Sequence, residues 1–133
     1  MSPGNADLAQ LLFNACRPMN SDESTFQLQS SPVGDALVIA VVGEIDMTSA
    51  PELGKAIDLV PDQMRRVVVD LCAVTFLDSS GLNALVRGKR ALDRKGIAFH
   101  VVAPADGVVR RVFEITQLTE SLSVVDSLDV ALS

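Results

Sequence analysis

The sequence predicts a single α/β domain, with helices packed on a mixed, mostly parallel β-sheet of about four to five strands. The chain has 133 residues and 48% of them are hydrophobic, which suffices for one core but leaves no room for a long inserted domain. Only 4% of the residues are aromatic, which favours an α/β domain over an aromatic-rich β-sandwich. Strand-like apolar runs also alternate with helical spacing, as is typical of parallel strands joined by crossover helices.

The chain divides into an N-terminal extension and one domain. Residues 1–24 mix small polar residues, Pro and Gly with one short helical pattern, and we expect a partly flexible extension there. Its helix should end before Pro18, because proline lacks a backbone donor and restricts the residue before it. Regular patterning begins at Thr25, so the domain is predicted to span residues 25–133.

Two strands are predicted first. Phe26 and Leu28 alternate with polar neighbours, as in a half-buried strand. Residues 30–35 contain Pro and Gly and predict a turn. The continuous apolar run from Ala36 to Ile45 then indicates a strand that is buried on both faces.

Helices and strands alternate over the rest of the chain. Residues 48–52 offer a hydroxyl cap, a proline in the first turn and an early Glu, which predict a helix that stops at Pro61. Residues 66–72 form a second Val-rich run, and helical spacing from Ser79 ends at Gly96. The remaining predictions are a strand at 97–102, a helix around 108–113, a short strand at 122–125 and a terminal turn or two at 127–132. The predicted order is therefore β-β-α-β-α-β-α-β-α.

The charge of the chain argues against nucleic acid and anionic lipid as partners. The formal net charge is −6 at pH 7, which disfavours binding to phosphate-rich surfaces. The basic residues of one predicted helix lack interleaved aromatics and are interpreted as a solvated face; they are Arg87, Lys89, Arg90, Arg94 and Lys95. The first 20 residues lack a signal-peptide pattern, and the longest apolar run is far shorter than the roughly 20 residues that span a bilayer. We therefore expect a soluble, cytoplasmic protein with no membrane span and no direct nucleic-acid partner.

The cysteines and the histidine predict no metal site and no enzyme. Cys16 and Cys72 lie too far apart for a redox or zinc motif, and two free thiols in a reducing cytosol are expected, with a regulatory disulfide as the alternative. One His and two distant Cys cannot supply the usual ligand set, so neither a metal nor a cofactor is predicted. Asp70 is expected to pair or cap at a strand end. His100 is predicted in mid-strand, away from the candidate serines, so no oriented base is available for a serine nucleophile.

The strongest local feature is a turn formed by Asp78, Ser79, Ser80 and Gly81, where a strand runs through a short loop into a helix. Free backbone N–H groups and the positive end of the helix dipole would face an anion there, including a phosphate on Ser80. Asp78 or Ser79 would equally serve as an ordinary N-cap. From the local pattern, an anion-bearing turn and a plain capped helix both stay open.

A second turn follows the first buried strand. Asp46 comes directly after Ile45 and precedes the next predicted helix. Loops that leave the carboxyl ends of neighbouring strands meet at one edge of an α/β sheet, so Asp46 is expected close to the turn at residues 78–81. On its own, Asp46 would be interpreted as a turn or cap residue.

Several pieces of the sequence together resemble the STAS domain, the fold of bacterial anti-sigma factor antagonists. The matching pieces lie at residues 42–46, 50–53, 69–71, 76–82, 112–118 and 124–127. An aspartate, two hydroxyls, a glycine and a leucine on a strand-to-helix turn are specific in this context. The resemblance covers about residues 25–132.

The resemblance implies a partner switch. Ser80, just before the glycine, would be phosphorylated by the serine kinase activity of an anti-sigma factor. The unmodified form would bind that anti-sigma factor and release the sigma factor, and a PP2C-type phosphatase would restore it. Asp46 and Asp78 match acidic positions near the switch, and Ser79 matches the neighbouring hydroxyl. The switch and partner-binding residues implied in this way are Asp46, Thr48, Asp78, Ser79, Ser80 and Gly81.

Two alternatives to this function are kept. A STAS-like domain also fits a subunit of a membrane transport or stress-signalling complex, and a serine-dependent enzyme is less favoured. The sequence leaves open whether Ser80 is modified, whether Cys16 and Cys72 are redox active, and whether the protein forms a homodimer.

Overall fold

A computed structural model of the protein describes residues 26–132. The observed order of elements confirms the predicted β-β-α-β-α-β-α-β-α. The strands are β1 (Gln27–Val33), β2 (Ala36–Ile45), β3 (Arg66–Leu77), β4 (Ala98–Val102) and β5 (Val124–Val125). The helices are α1 (Ala50–Asp58), α2 (Ser79–Arg94), α3 (Val108–Ile115) and α4 (Leu128–Leu132). The extension predicted at residues 1–24, with its helix before Pro18, and Cys16 lie outside the described residues.

The five strands form one sheet in sequential order from β1 to β5. β1 runs antiparallel to β2, and the other three neighbouring pairs are parallel. This confirms the predicted mixed, mostly parallel sheet. All parallel crossovers step in the same direction across the sheet, and crossovers of one handedness then place their helices on one face. α1, α2 and α3 accordingly pack against a single core.

The larger core lies between the sheet and these three helices. Ile39 of β2 and Val69 of β3 face it, and the helices contribute buried side chains such as Leu53, Leu85 and Phe113. The opposite face of the sheet carries a smaller cluster, formed by Val38, Ala40, Val68 and Val102 with Leu128 and Ala131 of α4. Because β2 and β3 contribute to both clusters, their sequences are continuous apolar runs rather than alternating ones.

The hairpin between β1 and β2 is tighter than predicted. Residues 30–33 belong to β1, so the turn predicted at residues 30–35 was wrong for its first four positions, and only Gly34 and Asp35 form it. Gly34 has a φ of +63°, which glycine adopts without a clash of a Cβ atom. Pro32 is tolerated because β1 is an edge strand, where a missing backbone donor need not break a ladder.

β3 extends past its predicted end at Cys72. It continues to Leu77 and pairs with β2 across two register shifts, so the short loop predicted before Asp78 is absent. Asp70 therefore lies in mid-strand, and the prediction that it pairs or caps at a strand end was wrong. Its Oδ1 accepts a hydrogen bond from the Cys72 N–H at 3.0 Å, whereas Oδ2 has no partner within the described residues. Burial raises the pKa of Asp70, because the charged carboxylate loses its hydration.

Two further properties bear on function. Between Phe26 and Leu132, no helix is both long and apolar enough to cross a bilayer. Over the same range, no three His, Cys, Asp or Glu side chains are grouped so that they could hold a metal ion.

Candidate functional site

Two strand-to-helix turns lie side by side where β2 and β3 end, and we call this region, residues 46–49 and 78–81, the carboxyl edge. Ile45 and Leu77 are paired across the parallel strands. The N–H of Asp78 donates to the carbonyl oxygen of Ile45 at 3.2 Å. Asp46 and Asp78 thus directly follow the paired residues Ile45 and Leu77, so the two predicted turns lie next to each other.

The turn from β2 to α1 is closed by its own side chains. The Asp46 carboxylate accepts hydrogen bonds from the Thr48 hydroxyl at 2.7 Å and from the Thr48 N–H at 3.0 Å. It also accepts from the Ser49 N–H at 3.2 Å. These bonds, with the Thr48 hydroxyl first among them, lower the pKa of Asp46 because they favour its charged form.

Ser49 stabilises this turn and does not cap the helix with its side chain. Its Oγ donates to the carbonyl oxygen of Glu44 at 2.9 Å and accepts from the Asp46 N–H at 2.9 Å. Ser49 occupies the N-cap position of α1, but its side chain makes no capping hydrogen bond. The predicted hydroxyl cap was therefore wrong, because the hydroxyl is engaged by the preceding backbone instead.

The turn from β3 to α2 uses only its aspartate. Asp78 is the N-cap, in extended conformation, and its carboxylate accepts from the N–H groups of Ser80 at 2.8 Å and Gly81 at 3.2 Å. Of the two cap residues left open by the sequence, the structure selects Asp78. Ser79 is exposed and Ser80 is partly exposed, and neither hydroxyl forms a hydrogen bond within residues 26–132. This turn therefore presents two available hydroxyls on a capped helix start.

Gly81 is required because α2 begins in direct contact with the strand ends. A Cβ atom at this position would lie 2.7 Å from Cγ2 of Ile45 and would also collide with Cδ1 of Leu77. Any side chain at this position would require Ile45, Leu77 or the helix start to shift. Gly81 therefore fixes the position of Ser80 relative to the turn after β2.

Exposed apolar side chains flank the carboxyl edge. Met47 is 74% exposed and Phe76 is 47% exposed, although side chains of this kind are usually buried. Met47 also lines a groove of about 470 Å³ between α1 and α2, into which Ser80 opens. Apolar groups beside accessible polar ones are typical of a protein-binding surface.

The structure separates the predicted site residues into two groups. The six predicted switch residues lie at the carboxyl edge. Cys72 does not, because it is half-buried in β3 against the smaller apolar cluster. The disulfide between Cys16 and Cys72 stays a prediction. His100 lies in β4 opposite Val68, and burial, followed by the positive charge of Arg66, lowers its pKa.

Sequence reasoning missed the groove and its charged walls. Lys55 of α1 and Arg87 of α2 line it, together with the exposed Met47. One signal was available in the sequence. Small residues recur at a spacing of four in both helices, which places them on one face of each helix; they are Ala50 and Gly54 in α1 and Ala84 and Gly88 in α2.

The fold and the site define a small α/β domain that carries an accessible hydroxyl turn at the carboxyl edge of its sheet. More narrowly, the chain belongs to the STAS-domain family, whose model matches residues 28–131. This confirms the resemblance noted in the sequence.

Individual relatives agree with the family. The chain is similar to the anti-sigma-F factor antagonist RsfB of Mycobacterium tuberculosis, with 34% identity over 97 residues, which are 72% of this chain and 78% of that protein. It is also similar to the anti-sigma-B factor antagonist of Staphylococcus aureus, with 30% identity over 93 residues, 69% of this chain and 85% of that protein. The crystal structure of an anti-sigma factor antagonist from Mycobacterium paratuberculosis has a TM-score of 0.75 and 34% identity, covering 85% of this chain and 96% of that one.

Proposed function

We propose that this protein is an anti-sigma factor antagonist, which binds an anti-sigma factor and thereby releases a sigma factor for transcription. The relatives that cover most of the chain carry this description. The observation that carries the proposal is the unengaged Ser80 hydroxyl on the capped start of α2, beside the exposed Met47 and Phe76. The protein acts as a binding partner and not as an enzyme, since its one histidine lies within β4 and away from this serine.

Phosphorylation of Ser80 is the proposed off switch. The serine kinase activity of the anti-sigma factor transfers the γ-phosphoryl group of ATP to Ser80 Oγ; the O–P bond forms, ADP leaves and the hydroxyl proton passes to a base of the kinase. The product carries a charge of about −1.5 to −2. Because a helix N-terminus favours negative charge, the modification should leave the fold intact and act on the partner interface. A PP2C-type phosphatase then hydrolyses the phosphate and restores the binding form.

Asp46, Thr48, Asp78, Ser79 and Gly81 are proposed to shape the surface that the partner contacts. They surround Ser80 at the carboxyl edge. Asp46 and Asp78 carry negative charge there, and a phosphate on Ser80 would add to it. The pathway places the protein in the cytoplasm, where sigma factors act, without direct contact to nucleic acid.

A pull-down from the source organism tests this function. The tagged full-length protein is used as bait in its unmodified form and as the Ser80→Ala variant, and captured proteins are identified by mass spectrometry. We expect both baits to recover a protein with a histidine-kinase-like ATPase domain. Incubation with that protein and ATP should then add one phosphate, mapped to Ser80. Recovery of transporter subunits in place of such a kinase would instead support a role in a membrane complex and contradict the proposal.

A further inference from the structure

The groove between α1 and α2 is open because small residues line both of its sides. Gly88 of α2 sits against α1, where an added Cβ atom would lie 2.7 Å from Cδ1 of Ile57. At Gly54, one turn above Ala50, an added Cβ would meet nothing within 4 Å. The helices thus touch at Gly88 and are separated near Gly54. The resulting cavity has a volume of about 470 Å³ and opens next to Ser80.

Two cations extend into this groove without a carboxylate partner. Lys55 comes from the α1 side and Arg87 from the α2 side, and neither forms an ion pair within the described part of the chain. Elsewhere on the surface, lysines are paired, for example Lys89 with Asp93 at 3.0 Å. Asp58 also lines the groove, and its carboxylate forms no ion pair with either cation within residues 26–132. The charged side chains that line the groove are thus two cations and one carboxylate, which leaves the groove locally positive in a chain with a net charge of −6.

Ser80 and the two cations line the same groove, so a phosphate on Ser80 would be added beside them. Arg87 follows Ser80 by seven residues, which is two helical turns and about 10.5 Å along the axis. Helical side chains lean toward the N-terminus, so an arginine at position 87 leans from its Cα toward the end of α2 that carries Ser80. Asn83 lies between them on the same side of the groove and adds an amide donor. A guanidinium also matches phosphate and carboxylate oxygens with two parallel hydrogen bonds.

We propose that the α1–α2 groove is an anion-binding site that takes an acidic side chain of the partner anti-sigma factor through Lys55 and Arg87, and that a phosphate on Ser80 blocks it from within. This inference rests on the proposed function and specifies the chemistry of its interface. The phosphate is tethered beside the cations, so its effective concentration is in the millimolar range or above. It therefore competes with an acidic group that has to arrive from a separate molecule.

The first test measures binding of the anti-sigma factor recovered in the pull-down. Arg87→Glu and Lys55→Glu should each weaken binding in calorimetry by at least about tenfold, because they place like charges opposite the acidic side chain. Arg111→Glu is the matched control, since Arg111 is an exposed cation on α3 that does not line the groove. Equal affinities for all three variants would overturn the groove proposal. Tight binding of the unmodified protein in that same experiment would still support its function as an antagonist.

The second test needs no partner. Phosphoserine is incorporated at position 80 of the full chain, and the phosphate is titrated by ³¹P NMR. Its second pKa should lie below the usual value of about 6, and Arg87→Gln should raise it whereas Arg111→Gln should not. Arg87→Lys should restore part of the shift. An unchanged phosphate pKa in Arg87→Gln and in Lys55→Gln would show that the groove does not hold the phosphate and would overturn the internal block.

Discussion

The two turns at the carboxyl edge contain the same residue types, but their hydroxyl groups differ in hydrogen bonding. Both follow paired strand ends, and both start with an aspartate followed within three residues by two hydroxyl side chains. After β2, the Thr48 hydroxyl donates a hydrogen bond to the Asp46 carboxylate, and the Ser49 hydroxyl donates to the Glu44 carbonyl oxygen. After β3, the aspartate binds backbone N–H groups only, and both serine hydroxyls stay available.

Internal hydrogen bonding, and not residue type, distinguishes the engaged hydroxyls of the first turn from the available hydroxyls of the second. A hydroxyl that already donates to a backbone carbonyl oxygen cannot be esterified without losing that hydrogen bond. Ser49 is only 5% exposed and meets this condition. Ser80 makes no such bond, so adding a group to it breaks nothing in the fold.

The largest expected effect is on partner binding when charge is added at the available hydroxyl. Ser80→Asp should weaken binding of the anti-sigma factor by roughly 30-fold or more, about 2 kcal/mol, because the new carboxylate must be desolvated at the interface. Ser80→Ala should keep full affinity, and both should unfold at the wild-type temperature or above. Ser79→Asp is the control with equal charge and should bind more tightly than Ser80→Asp. If calorimetry finds that Ser79→Asp binds more weakly than Ser80→Asp, the switch is at Ser79 and its assignment to Ser80 is wrong.

The next largest effect is on stability, where substitution of Ser49 should matter and substitution of Ser80 should not. Ser49→Ala should lower the free energy of unfolding by about 1–3 kcal/mol, because the Glu44 carbonyl and the Asp46 N–H lose their partner. Ser80→Ala should change it by less than about 0.5 kcal/mol. Urea unfolding followed by circular dichroism measures both. If the two substitutions cost the same, the contrast between the turns would not hold.

A smaller loss of stability is expected at the helix cap. Asp78→Ala should cost about 1 kcal/mol, because the N–H groups of Ser80 and Gly81 lose their acceptor. Asp78→Asn retains an acceptor oxygen and should cost much less. An Asp78→Asn variant that is as unstable as Asp78→Ala would mean that the cap acts through its charge rather than through its hydrogen bonds.

The smallest effect concerns pH. The pKa of Asp46 is lowered in the folded protein, so its contribution is present above the unfolded pKa and is lost as the pH falls through the folded one. The pKa of Asp70 is raised, so its effect has the opposite sign and stability is lost as the pH rises toward the folded pKa. Asp46→Asn should therefore flatten the acid side of the stability curve, and Asp70→Asn should stabilise the protein at neutral pH. Thermal unfolding between pH 3 and pH 7 distinguishes the two.

The sequence predicted most of the fold because burial on both faces leaves a strong pattern. β2 was predicted with its observed bounds, since a continuous apolar run ends at residues that favour turns on both sides. β3 was predicted five residues too short, because the apolar pattern by itself does not mark where the strand ends. Pairing with β2 decided its length, and pairing is not visible in one strand alone.

The site was predicted in its residues but not in its surroundings. The residues around Ser80 form a contiguous motif, which sequence inspection can find. The Ser49 hydroxyl could cap α1 by accepting from a helix N–H or could bond to the preceding backbone, and only the folded turn decided between these roles. The groove arises between Gly54 on one helix and Arg87 on another, so it depends on how the helices pack.

Among the described elements, only the short helix α4 covers the smaller apolar cluster on the sheet, and this affects local unfolding. α4 has five residues, fewer than the roughly 12–15 that an isolated helix needs, and it is held by Leu128, by Ala131 and by a 3.0 Å bond from the Arg66 guanidinium to the Ala131 carbonyl. Its backbone amides should exchange with deuterium before those of α1 to α3, at a cost well below global unfolding. Asp70 belongs to the strand beneath, and its ionised form gains hydration when this cover lifts. The protection of α4, corrected for intrinsic exchange, should therefore decrease from acid to neutral pH.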